Sequence, residues 1–212
     1  SATSREWHAI IHTTGTRKPF AHQVSDLRHG LSGLLSLLPS TAVAMFARCH
    51  VSDAANQSAL LRQVLLELLD CPLSIIQQPP LDGSKVAMWI YFVDQGSAKT
   101  LHDGTYAVEH GSYTHLWHTD TGQANGDPYM QTRTAMENYV RVLEDNGCSL
   151  ADNCLRTWLF VHDIDNNYPG VVRARNDVFG QYGLTNDTHF IASTGINGSV
   201  GRQGVLLSMD TY

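Results

Sequence analysis

The stretch from residue 131 to residue 196 decides the fold. It opens Gln131-Thr132-Arg133-Thr134-Ala135-Met136-Glu137-Asn138-Tyr139-Val140-Arg141-Val142-Leu143, continues through Leu155-Arg156-Thr157-Trp158-Leu159-Phe160-Val161, and ends Ile191-Ala192-Ser193-Thr194-Gly195-Ile196. Ala135, Met136, Tyr139, Val140 and Leu143 form an apolar stripe at helical spacing. Met130, Thr134, Glu137 and Arg141 share another side of the same helix. Asn146-Gly147 closes it, since glycine tolerates the left-handed conformation of a helix C-cap. Residues 155–161 are a β-rich run bounded by the turn formers Asp163, Asp165 and Asn166. A second helix is predicted from Tyr168 to Tyr182, with Val171, Val172, Val178 and Phe179 on its packed side, followed by a polar turn. Helix, strand and helix laid on one sheet make an α/β sandwich unit.

The upstream half repeats this order. Trp7-His8-Ala9-Ile10-Ile11-His12 alternates like an edge strand. Val24, Leu27, Leu31, Leu34, Leu35 and Leu38 recur at helical spacing until Pro39-Ser40. Residues 42–51 read as a strand, and Ser52-Asp53 as the cap of a helix carrying Leu60, Leu61, Val64, Leu65 and Leu68. Residues 73–76 and 86–92 read as a pair of strands joined by a Pro- and Gly-rich connection. Gln95-Gly96-Ser97-Ala98 is short, small and polar, the best linker candidate. Helix starts in the two halves are offset by roughly 110 residues, far beyond a solenoid period, so two degenerate copies of one domain are expected.

Composition narrows the function. Hydrophobic content of 42% and charged content of 16% are ordinary for a globular protein. The net charge of −6 shows none of the basic excess that phosphate-backbone binding requires, so no nucleic-acid partner is expected. No apolar run reaches the length of a membrane span and no signal-peptide pattern opens the chain, so no membrane partner is expected. The four cysteines, Cys49, Cys71, Cys148 and Cys154, include no Cys-x-x-Cys and read as reduced and structural, which favours the cytoplasm. Eleven histidines invite a metal, but no ligand pair falls at suitable spacing in one element, and His115 and His118 point to opposite faces of one strand. No metal and no cofactor is expected, for the sequence also lacks a phosphate loop, a nucleophile elbow and a nucleotide fingerprint.

The candidate site residues are few. Arg156 lies in an apolar strand, where a guanidinium must reach solvent, a ligand carboxylate or a neighbouring Asp or Glu. Ser193, Thr194 and Gly195 either present hydroxyls and an amide to a ligand or are only a turn. Tyr106 either offers a phenol at a cleft edge or packs within its strand. His189, before the turn, is a candidate proton carrier or a surface histidine.

The order Gln131…Asn138, Asn146-Gly147-Cys148-Ser149-Leu150, Arg156-Thr157-Trp158, Phe179 and a final strand resembles the Rid/YjgF family, also called endoribonuclease L-PSP. Gly104-Thr105-Tyr106 and Thr121-Gly122-Gln123 resemble that family's opening hairpin, so the likeness covers roughly residues 103–212. Arg-Thr-Trp followed later by Ala-Ser-Thr-Gly-Ile is closer to the chorismatase-like branch than to the small imine deaminases. The resemblance implies an α+β protein of two tandem Rid-like (chorismate mutase-like) domains. Each is a mostly antiparallel sheet with two helices on one face; residues 1–95 form the degenerate copy and 99–212 the second. It further implies a homotrimer with ligand pockets at domain or subunit junctions near Tyr106, Arg156, Ser193, Thr194 and Gly195. The implied function is a metal-independent enzyme on a carboxylate-bearing small molecule, by chorismatase-like cleavage or a variant of imine or enamine hydrolysis. The alternative is a non-catalytic ligand-binding or scaffold protein, with an endoribonuclease third. Two departures matter: Ser193 stands where the deaminases carry an arginine for the substrate carboxylate, and their last-strand glutamate has no counterpart but Asp210.

Overall fold

The computed structural model describes residues 5–100 and 104–212. Residue 103, where the Rid-like resemblance begins, lies outside the described residues. The chain divides into two compact units, Ser1–Trp117 and His118–Tyr212, the division falling inside a strand.

The first unit contains β1 (Glu6–His12), α1 (Phe20–Leu37), β2 (Ala42–Val51), α2 (Ala54–Leu65), β3 (Leu73–Gln77) and β4 (Val86–Asp94). These strands form a sheet in the order β1-β4-β2-β3, with β1 at the edge. Two partners differ from expectation. β3 pairs in parallel with β2, not with β4, which lies antiparallel on the other side of β2. The reason is α2, which crosses the sheet between β2 and β3; a strand–helix–strand crossover delivers the second strand parallel to the first. Asp53 caps α2 as its position predicts, its carboxylate accepting from the Asn56 N–H.

Registers sort this sheet into two chemically different faces. Ala9, Ile11, Ala47, Cys49, Leu73, Ile75, Met88 and Ile90 are aligned across the strands on one face, and apart from the edge strand all are buried. The helices cover that face: a Cβ on Gly30 of α1 would lie 2.8 Å from Ile11 Cγ2, and Arg62 of α2 donates to the Leu73 carbonyl. The opposite face carries His8, Phe46, Arg48, Trp89 and Tyr91, with His8 stacked on Tyr91 and the Arg48 guanidinium over Phe46 and Trp89.

The remaining elements are β5 (Ser97–Thr100), β6 (Thr105–His110), β7 (Tyr113–Asp120), α3 (Pro128–Asp145), the short α4 (Leu150–Asn153), β8 (Arg156–Val161), α5 (Ile164–Gln181), β9 (Ala192–Asn197) and β10 (Leu207–Thr211). The six strands run in the order β5-β6-β7-β10-β8-β9. The expected linker is thus partly strand, since Ser97–Thr100 pairs antiparallel with β6. Only Gln95-Gly96 makes the turn, Gln95 at a positive φ of 58°. The second crossover, β8–α5–β9, again yields a parallel pair. Asp127 caps α3 and Pro128 occupies its first turn, where a missing N–H costs nothing. α5 begins at Ile164, four residues before the expected Tyr168, because the Asp163 carbonyl accepts the N–H groups of Asn166 and Asn167. Pro169 is therefore inside the helix rather than at its start.

No helix among the described residues is long and apolar enough to cross a membrane. All four cysteines are free, and burial pushes the Cys71 thiol up to about 12.

In the β6–β7 hairpin His110 and His115 are both buried, with Nδ1 of the first 3.3 Å from Nε2 of the second. Tyr113 meets both rings edge-on, and Glu6 is the acidic group whose charge reaches His115. Burial first, and the neighbouring His110 second, hold the His115 pKa below its ordinary value. The unfolded chain then binds the extra proton more readily, so stability present above pH ~6.5 is lost as pH falls below it. Thermal melts between pH 7.5 and 5.5 are expected to fall toward acid in the wild type and to flatten in His115→Gln. Equal pH slopes for the two proteins contradict this assignment.

Candidate functional site

The two faces of β8 separate structure from chemistry. Thr157, Leu159 and Val161 point one way, aligned with Thr211, Met209 and Leu207 of β10 and with Ser193, Gly195 and Asn197 of β9. That is the helix face: Tyr139 of α3 stacks on His118 at 5.8 Å, and Tyr168 of α5 lies against Gly195. Arg156, Trp158 and Phe160 point the other way, aligned with Thr194 and Ile196 of β9 and with Ser208 and Asp210 of β10.

Arg156 is the charged centre of this second face. Its Cζ lies 4.7 Å from the centroid of the Trp158 ring, two residues along the strand, and Nη2 donates to Thr194 Oγ1 at 3.2 Å. The indole supports the flat guanidinium face through a cation–π contact, and the threonine fixes one edge of the fork. Among the described residues no carboxylate pairs with Arg156, and its Nε–H is buried with no acceptor. A buried donor left unmade costs about 1–3 kcal/mol. The arrangement has the chemistry of a half-built anion site: a cation, oriented and partly desolvated, with donors unspent.

Asp210 stands one strand away, opposite Trp158 and 1% exposed. Thr119 Oγ1, opposite it on β7, donates to Asp210 Oδ1 at 2.7 Å. Register thus puts the carboxylate of the last strand on the same face as Arg156.

The other candidates are placed differently. Ser193, Thr194 and Gly195 are strand, not turn, with alternating destinations. Only Thr194 joins Arg156; the Ser193 hydroxyl accepts from Thr157 Oγ1 at 2.8 Å, and Gly195 receives the Tyr168 ring. Tyr106, in the first unit, is 3% exposed and its hydroxyl donates to the Asp70 carbonyl. Burial, ahead of Cys71 and Asp70, pushes its pKa up to about 12, so the phenol stays neutral. His189 is exposed, with Nε2 2.7 Å from the Ala151 carbonyl, so that nitrogen carries the proton. Among the described residues no group of three or more His, Cys, Asp or Glu is placed to hold a metal.

Trp158 and Tyr168 were the site's unassigned members. Trp158 was findable, since period-two alternation from Arg156 puts it on the same face. Nothing in the sequence points from Tyr168 to Gly195, a contact made only by folding.

No protein-family model matches the sequence, and no curated protein matches it. Among solved structures, a chorismatase is similar over 97% of this chain and 74% of its own, at 12% identity and a TM-score of 0.68. Shorter similarities include the YjgF gene product of E. coli, at 19% identity over 50% of this chain and 82% of that one, TM-score 0.39. A YjgF/YER057c/UK114-family protein of Mycobacterium tuberculosis matches at 23% identity over 50% of this chain and 80% of that one, TM-score 0.38. The near-full-length similarity establishes that this chain has the chorismatase fold: α+β, with two sheets each bearing a pair of long helices.

Because no carboxylate depends on Arg156, its removal should cost little. Arg156→Ala is expected to lower stability by roughly 1–2 kcal/mol, the lost hydrogen bond and ring contact. Chemical denaturation showing a loss of about 3–5 kcal/mol, typical of a broken buried ion pair, contradicts the description.

Proposed function

We propose that this chorismatase-fold chain binds a carboxylate-bearing small molecule on the β8–β9 face, with the Arg156 guanidinium as its clamp. The observation that carries the reading is that guanidinium itself: stacked on Trp158, held by Thr194, and without a carboxylate among the described residues. A planar fork fixed on two sides is organised for bidentate capture of a carboxylate, and organisation before binding saves the entropy of ordering it afterwards. In this reading the protein is a metal-independent enzyme, acting by chorismatase-like cleavage or by a variant of imine or enamine hydrolysis. Asp210, on the same face, is its candidate acid or base.

A second reading, a ligand-binding protein without catalysis, is favoured by Ser193. It replaces the arginine of the imine deaminases, and its hydroxyl is spent on Thr157 at the helix face. The net charge of −6 weighs against an endoribonuclease.

The proposal extends to assembly and domains. Two tandem copies meeting near residues 95–99 are supported by the recurrence of strand–helix–strand crossovers in both halves. A homotrimer with cytoplasmic location completes it, and light scattering at micromolar protein is expected to return three times the 23.4 kDa chain mass. A monomer contradicts that part.

The clamp is tested by calorimetric titration with benzoate and pyruvate. Arg156→Lys keeps the charge and loses the fork, so affinity should fall by about 1–3 kcal/mol with the melting temperature preserved. Unchanged affinity in Arg156→Lys, or no saturable binding of either anion to the wild type, contradicts the proposal.

A further inference from the structure

Strand β9 is an edge strand, hydrogen-bonded in its sheet, among the described residues, to β8 alone. An edge strand bearing Thr194, the residue that fixes the Arg156 fork, needs restraint beyond one ladder. The structure supplies it from behind. On the helix face the Thr157 hydroxyl donates to Ser193 Oγ, one residue before Thr194. One residue after it, the Tyr168 ring lies against the bare backbone of Gly195: a Cβ built there would collide with Cε2 and sit 3.1 Å from the hydroxyl oxygen. Gly195 is therefore glycine because the ring occupies the side-chain position. Its φ is not in the left-handed region, so close approach rather than backbone conformation is what requires it.

Tyr168 belongs to the first turns of α5, immediately before Pro169, which fixes the backbone there. The ring thus reaches β9 from a position set by the helix. Its hydroxyl makes no hydrogen bond among the described residues, so the contact is one of shape, not of polar recognition. We infer that Tyr168, seated on Gly195, is a positioning residue that holds Thr194 at the Arg156 guanidinium. The inference deepens the carboxylate-clamp reading and rests on it. Tyr168 touches neither Arg156 nor the ligand face; its effect passes through one strand, from the back of Gly195 to the front of Thr194.

The test uses the full-length ¹⁵N-labelled chain and the NMR signal of the Arg156 Nε–H, identified by its loss in Arg156→Lys. In the wild type and in Tyr168→Phe, which keeps the ring and removes no hydrogen bond, this signal should coincide. Tyr168→Ala, which removes the ring, and Gly195→Ala, which pushes it away, should both shift the signal and speed its exchange with water. Benzoate affinity should fall in parallel, by about tenfold, and recover in Tyr168→Phe. A Tyr168→Ala protein that is folded with an unmoved Arg156 signal overturns the inference, and a Gly195→Ala protein with an unmoved signal does so independently. Equal benzoate binding by wild type and Arg156→Lys overturns instead the clamp reading, while the NMR comparison still decides the positioning of Arg156.

Discussion

Each sheet of this protein has one face claimed by helices, and that constraint orders everything else. In the first unit the claimed face is aliphatic from strand to strand, from Ile11 through Met88 and Cys49 to Ile75. In the second it runs through Leu207, Met209, Leu159 and Val161. Burying aliphatic surface at about 25 cal/mol per Å² drives that side together. The opposite faces are then free of the aliphatic requirement and carry arginine, tryptophan, histidine and hydroxyls. Arg156 can open an otherwise apolar strand because alternation, not composition, decides which face a residue serves.

The energetics of Arg156 are what support the proposed ligand role over a structural one. A structural arginine half-buried in a sheet recovers its desolvation cost from a carboxylate and a full set of acceptors. Arg156 has one threonine hydroxyl and one indole, with a buried N–H unspent. A buried donor without a partner calls for an explanation, and in the proposed reading a ligand carboxylate supplies it. Asp210 shows the contrast: more deeply set into the face, it already accepts from Thr119.

Much of this architecture was legible in the sequence, and the gaps have physical causes. The stripe at Ala135, Met136, Tyr139, Val140 and Leu143 is the buried side of α3, and residues 42–51 are β2 as read. Periodicity could not show that β3 pairs with β2, because partner choice depends on the crossover made by α2 rather than on the strand itself. Ser193-Thr194-Gly195 looked like a turn on composition, yet pairing with β8 makes it a strand whose glycine serves the Tyr168 ring. Arg156 was legible as a candidate from its cost in an apolar run. Its partners were not, since a cross-strand neighbour is fixed only by register. Tyr106 was equally ambiguous from sequence, and its phenol proves committed to the Asp70 carbonyl.

The central claim is that Arg156 is completed by a ligand carboxylate. The most direct measurement is a crystal structure of the protein grown at saturating benzoate. The account predicts both carboxylate oxygens about 2.7–2.9 Å from the Arg156 guanidinium, with Trp158 still beneath it and the buried Nε–H satisfied. A benzoate bound elsewhere, or an Arg156 turned to pair with a protein carboxylate, would contradict it.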